Sequence, residues 1–199
     1  GLAATNGGTL GGDGANSIAN VSVTENTAGY NASGVYANSG SRVTGASIDN
    51  LTVDSAGYGY GIYALGNSSA ELTVGNMHVN GSNNASGVYA KDNGSVKFTG
   101  ARNLTVSADN GAGVGLYADN SSVSGDAQSL TVNAASTAYG VYADSGDVQL
   151  ALSGDLAVKS ASGRAYGAYA KDNGSVKFTG VRNLTVSADN GVGDRQCAV

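Results

Sequence analysis

A four-residue marker, Gly-x-Tyr-Ala, returns six times along this chain: GVYA at 34, GIYA at 61, GVYA at 87, GLYA at 115, GVYA at 140 and GAYA at 167. The intervals are 27, 26, 28, 25 and 27 residues. A fixed period of that size is the signature of a repeat architecture, in which each unit is too small to fold alone and is completed by its neighbours. A second marker keeps step with the first, an apolar-any-apolar triplet at Leu51–Val53, Met77–Val79, Leu104–Val106, Leu130–Val132, Leu156–Val158 and Leu184–Val186, with an earlier copy at Val21–Val23. Between the two lies a third alternating stretch, clearest in SVKFTG at 95 and 175 and DVQLAL at 147. The longest repetition, KDNGSVKFTGARNLTVSADNG at 91–111, recurs at 171–191 with only Ala101 changed to Val181, three periods on.

Alternation with period two is the pattern of half-buried strands, and no segment sustains the 3.6-residue period of a helix. The strands are separated by clusters such as KDNG, ADNG and ADSG, whose Asn, Asp and Gly tolerate positive φ and so suit sharp corners. The chain has no proline, as befits strands whose N–H groups are all wanted by a neighbouring coil. A leucine-rich repeat would need its L-x-x-L-x-L frame, a propeller blade four strands over more than about 40 residues, and collagen glycine at every third position. The expected fold is all-β: a right-handed parallel β-helix, or β-solenoid, of about seven coils of roughly 27 residues with three short strands each. Residues 1–20 form a glycine-rich initial segment or partial coil, 21–193 the repeats and 194–199 a non-repeat tail. After ADNGVG the repeat stops at Asp194–Val199, so a segment of a longer rod is expected, with self-association through uncapped ends.

Composition narrows the function. With 32 glycines, two phenylalanines and no tryptophan, the interior must be built from small Ala, Val and Leu. Formal net charge is -5 and the ten Lys and Arg are scattered, so the basic stripe that a phosphate backbone requires is missing and nucleic acid is excluded as a partner. Cys197 is the one cysteine, which permits no internal disulfide. No run of about 18 apolar residues suggests a membrane span, and no charged-then-apolar leader precedes the repeats.

Alternation also assigns faces. In the apolar triplets Thr52, His78, Thr105, Thr131, Ala157 and Thr185 stand between inward neighbours and face outward. Such a threonine column suits an ice-binding surface, but His78 and Ala157 interrupt it, and threonine is a good exposed strand residue in any case. In the first strand Tyr36, Tyr63, Tyr89, Tyr117, Tyr142 and Tyr169 are expected as an external ladder. Stacked phenols of this kind would give a ligand-binding platform for sugars or another protein's surface, or would simply pack on one another.

The residue after the marker alanine runs Asn38, Leu65, Lys91, Asp119, Asp144, Lys171. Asp119 and Asp144 on adjacent coils, about 5 Å apart, match the spacing of a retaining glycoside hydrolase or part of a calcium site. A solvated corner whose two carboxylates are balanced by Lys91 and Lys171 is the favoured account. His78 is the sole histidine, which leaves no imidazole pair for a metal. GGDGANSIA at 11–19 matches a calcium-binding nonapeptide imperfectly and once, where calcium rolls need consecutive copies. The Asn-x-Ser/Thr sites at Asn67, Asn103 and Asn120 follow from composition. No catalytic residue, metal or cofactor is expected.

Proline-free, Gly- and Asn-rich units of the form YGVYADSG, then SVKFTG, then NLTVSADNG resemble the passenger region of bacterial autotransporter adhesins, over about Val21 to Gly193. The resemblance implies a β-helix exported through an outer membrane and displayed at the cell surface or secreted, with virulence-type roles in adhesion or aggregation. Host or bacterial surface proteins and glycans are the implied partners. The family's leader and translocator barrel are not in this sequence. The functional expectation is a non-enzymatic adhesin-type rod making multivalent contacts. The alternative is a polysaccharide lyase or hydrolase on the same scaffold, which would interrupt its repeat with a long loop and cluster charged groups around a groove.

Overall fold

The computed structural model describes residues 1–11 and 16–190. Two parallel sheets are built from successive coils. The first stacks Leu2–Ala4, Ala32–Asn38, Gly59–Leu65, Ala85–Lys91, Gly113–Asp119, Ala138–Asp144 and Ala165–Lys171. The second contains Thr9–Leu10, Asn16–Glu25, Arg42–Ser55, Ser69–Gly81, Ser95–Ala108, Ser122–Ala134, Asp147–Leu152, Asp155–Ser160, Ser175–Thr179 and Asn183–Ala188. Equivalent residues of consecutive coils lie opposite one another, Tyr89 by Tyr117 and Thr105 by Thr131. The chain is a β-solenoid of about six turns, with stacked coils of about 27 residues. The expected seven coils counted strands in a column; seven strands enclose six intervals. No helix among the described residues is long and apolar enough to cross a membrane, a statement that does not bear on β-barrels.

Three separate strands per coil are found in the first coil, Leu2–Ala4, Thr9–Leu10 and Asn16–Glu25, and again where Asp147–Leu152 is followed by Asp155–Ser160, and Ser175–Thr179 by Asn183–Ala188. In the four coils between, the second and third strands merge into one strand of 13 or 14 residues. The register shifts at the bend, between Thr44 and Ala46, Thr73 and Asn76, and Gly125 and Ala127. Gly45 and Gly100 hold φ of 70° and 74° there, so glycine turns the backbone within the ladder and no loop is required. The corner after the tyrosine strand is a true turn, with positive φ at Ser39, Asn67, Asp92, Asn93, Asn120 and Ser145. Such corners stack as the strands do: Asn67 N–H donates to Asp92 O at 3.0 Å and Asn93 N–H to Asn120 O at 2.9 Å.

The core is filled by the inward halves of both patterns, with Val35, Ile62, Val88 and Leu116 facing Leu51, Met77, Leu104 and Leu130 in one continuous apolar interior. Phe98 is its largest fully buried side chain. Its ring occupies space left by the next coil, since a Cβ on Gly125 would lie 2.4 Å from Phe98 Cε1. At the far end of the described stack Leu184 is 42% exposed, while its equivalents Leu130 and Leu156 are buried. Burial in this interior is thus supplied by the next coil.

The marker glycine is also dictated by packing. A Cβ on Gly61 would stand 2.4 Å from both Gly87 O and Met77 Sδ, and one on Gly115 would stand 2.3 Å from Gly140 O. Without a side chain the strand lies against the core at that point. The strand is irregular there as well: on an ideal strand residues three apart face opposite ways, yet Tyr60 and Tyr63 stack with ring centroids 4.8 Å apart.

Candidate functional site

The predicted tyrosine ladder exists as an outward-facing column. Tyr36, Tyr63, Tyr89, Tyr117, Tyr142 and Tyr169 are paired coil to coil, and each is half-buried while Ala37, Ala64, Ala90, Ala118 and Ala143 beside them are fully buried. A second column lies alongside, Ser33, Tyr60, Ser86, Val114, Tyr139, Tyr166. The repeat pattern does not reveal its tyrosines because half of the coils lack them; the GYG at 59 and the AYG at 138 and 165 carry the signal.

Together nine tyrosines form an unbroken aromatic surface. Tyr117 stacks on Tyr142 at 4.6 Å and 24°, and Tyr139 on Tyr166 at 5.0 Å and 8°. Tyr63 meets Tyr89 edge-on at 5.0 Å, and Tyr89 meets Tyr117 at 4.8 Å. Offset and edge-on pairs at these distances are favourable beyond the area they bury. Burial, with the neighbouring phenols Tyr60 and Tyr36 and then Asp92 adding to it, pushes the Tyr63 phenol up to about 12. Burial also raises Tyr89 and Tyr117, the latter further beside Asp119. At ordinary pH Tyr63, Tyr89 and Tyr117 are therefore held as neutral phenols at the centre of the face.

Beside it runs the predicted rung. Asp119 is in register with Lys91 on one side and Asp144 on the other, and Asp144 with Lys171. Lys91 Nζ lies 3.4 Å from Asp119 Oδ2, and Lys171 Nζ lies 2.7 Å from Asp144 Oδ2. Tyr142 Oη donates to Asp144 Oδ2 at 3.5 Å. The adjacent acids each hold a lysine, an arrangement that neutralises them in place.

Other predicted positions are dispersed. His78 is exposed on the second sheet between Thr52 and Thr105. Asn67 and Asn120 sit at corners. Asn103 belongs to an exposed amide ladder in which Asn50 Nδ2 donates to Asn20 Oδ1 (3.1 Å), Asn76 to Asn50 (2.9 Å) and Asn103 to Asn76 (3.1 Å). Residues 12–15 of the nonapeptide-like stretch, and the tail 194–199 with Cys197, lie outside the described residues. Among the described residues no group of three or more His, Cys, Asp or Glu is placed to hold a metal.

Concavities among the described residues include a groove and a cleft. An open groove of about 440 Å³ follows the bend of the second sheet past Gly100, Asp126, Gln128, Ser153 and Thr179, where Asp126 Oδ2 accepts the Gly100 N–H at 2.8 Å. A smaller cleft of about 200 Å³ opens in the tyrosine face itself. The chain matches no protein-family model, no curated protein and no solved structure. The fold defines its class, a parallel β-solenoid with one aromatic face.

Proposed function

We propose that the chain is a non-enzymatic rod of the autotransporter-passenger kind, secreted or displayed at a cell surface, that adheres through its tyrosine face. The observation that carries this reading is the aromatic surface running from Tyr36 to Tyr169 without a break. Half-buried phenols in a row offer apolar ring edges and faces with polar rims, suited to glycans and protein surfaces. A repeated face makes many weak contacts whose strength comes from effective concentration. The competing reading, a polysaccharide-acting enzyme, rests on Asp119 and Asp144 in register, and the lysines at 3.4 and 2.7 Å argue for a structural rung instead.

The test is adhesion of the purified chain to surfaces coated with glycans, with proteins or with the chain itself. Replacing Tyr63, Tyr117 and Tyr142 together by serine should weaken adhesion by about ten-fold or more. Release of reducing or unsaturated sugar ends from polysaccharides, lost in Asp119→Asn or Asp144→Asn, would replace adhesion with catalysis.

A further inference from the structure

The second tyrosine column is interrupted at two successive coils. Tyr60 is followed by Ser86 and Val114 before the column resumes at Tyr139. Three coil steps separate Tyr60 from Tyr139, about 14 Å at the usual strand spacing. Two short side chains thus stand where flanking coils place phenol rings, and the cleft of about 200 Å³ lies there, its lining including Tyr58, Tyr60, Asn84, Ser86, Tyr89 and Tyr117. Tyr60 is braced from its own coil by Tyr63 at 4.8 Å, and Tyr139 by Tyr142 at 4.9 Å.

The chemistry of the lining selects a ligand. It has four phenols, one amide and one hydroxyl, and no charged side chain. Asn84 Oδ1 already accepts the Ala112 N–H at 2.7 Å, so what Asn84 offers a ligand is its amide NH2. Aromatic faces beside a few oriented polar groups, without charge, suit the C–H faces and hydroxyl edges of a neutral pyranose. The volume is below the roughly 300–1,000 Å³ of a complete small-molecule pocket, so the cleft takes one ring of a longer chain.

We infer that this interruption is a subsite for a neutral sugar ring, the place on the tyrosine face where a glycan is held in register. The inference rests on the adhesive reading above and specifies where on that face a glycan binds. The test is titration of the intact chain with cellotetraose, maltotetraose and N-acetylchitotetraose, followed by amide NMR and calorimetry. At least one should bind, with shifts centred on Ser86, Tyr89, Val114 and Tyr117. Ser86→Tyr and Val114→Tyr each fill one of the two gaps in the column with a tyrosine like those at Tyr60 and Tyr139. Each should weaken that binding about ten-fold or more, while His78→Ala on the other sheet stays within about two-fold. Circular dichroism confirms the fold of each variant, and Tyr60→Ala, which removes a wall without adding volume, should weaken binding as well. Failure of all three sugars to bind, or equal binding by the filled variants, overturns the subsite. Adhesion by the filled variants at the parent's level would leave the broader adhesive reading standing, whereas a chain that adheres to nothing removes that reading.

Discussion

Gly125 shows how single residues set this interior. Phe98 and Gly125 are in register on adjacent coils, and the ring fills the volume a side chain at 125 would need, with Cε1 2.4 Å from where a Cβ would stand. Overfilling a packed core typically costs about 1–3 kcal/mol. Gly125→Val should therefore lower unfolding free energy by about that amount in urea titrations, and Phe98→Leu in the same chain should recover part of it. The tyrosines make a second residue-level prediction, with its sign fixed by linkage. Burial holds Tyr63 protonated to about 12 and raises Tyr89, Tyr117 and Tyr139 likewise. The unfolded chain loses these protons near pH 10, so above that pH the folded state binds more protons. Stability is fully present below pH 10 and falls as pH rises toward 12 and beyond. Denaturant midpoints measured from pH 8 to 12 should be flat and then drop, and phenolate absorbance should lag behind that of the unfolded chain.

At the scale of strands, the amide ladder offers a contrast with the glycine column. Asn76 donates to Asn50 and accepts from Asn103, but the ladder is exposed, where water replaces what is lost. Asn76→Ala should cost at most about 1 kcal/mol. Gly115→Ala meets Gly140 O at 2.3 Å and Leu130 methyls at 2.9 Å, so it should cost more, about 1–3 kcal/mol, and a paired urea titration would rank the two. Strand content was readable because marker and triplet alternate in fixed phase. The merged second strands were not, since the bend at Gly45 and Gly100 looks in sequence like the glycine turns that do end strands. The first coil was also obscured: Leu2–Ala4 pairs with Val35–Ala37, yet Ala3 stands where every later copy has tyrosine. The tyrosine column's outward direction could be read from its alanine neighbours. The cleft could not, because it is made by rings absent at Ser86 and Val114 and appears only when six coils are superposed.

At the scale of the whole molecule, each coil borrows its burial and its hydrogen bonds from the next, and the tyrosine face exists only through that stacking. A change that preserves the phase should shorten the rod, and one that breaks the phase should destroy it. Removing residues 92–119 joins Lys91 to Asn120 at equivalent points of adjacent coils, whereas removing 92–105 cuts half a turn and sets the tyrosine strand against the wrong sheet. Thermal unfolding followed by circular dichroism on both deletions is the most direct measurement. The whole-turn deletion should keep its β signal and unfold cooperatively at a somewhat lower temperature, while the half-turn deletion should lose cooperative unfolding. Equal tolerance of both cuts, or collapse on removal of the complete turn, would contradict a structure made of interchangeable stacked coils.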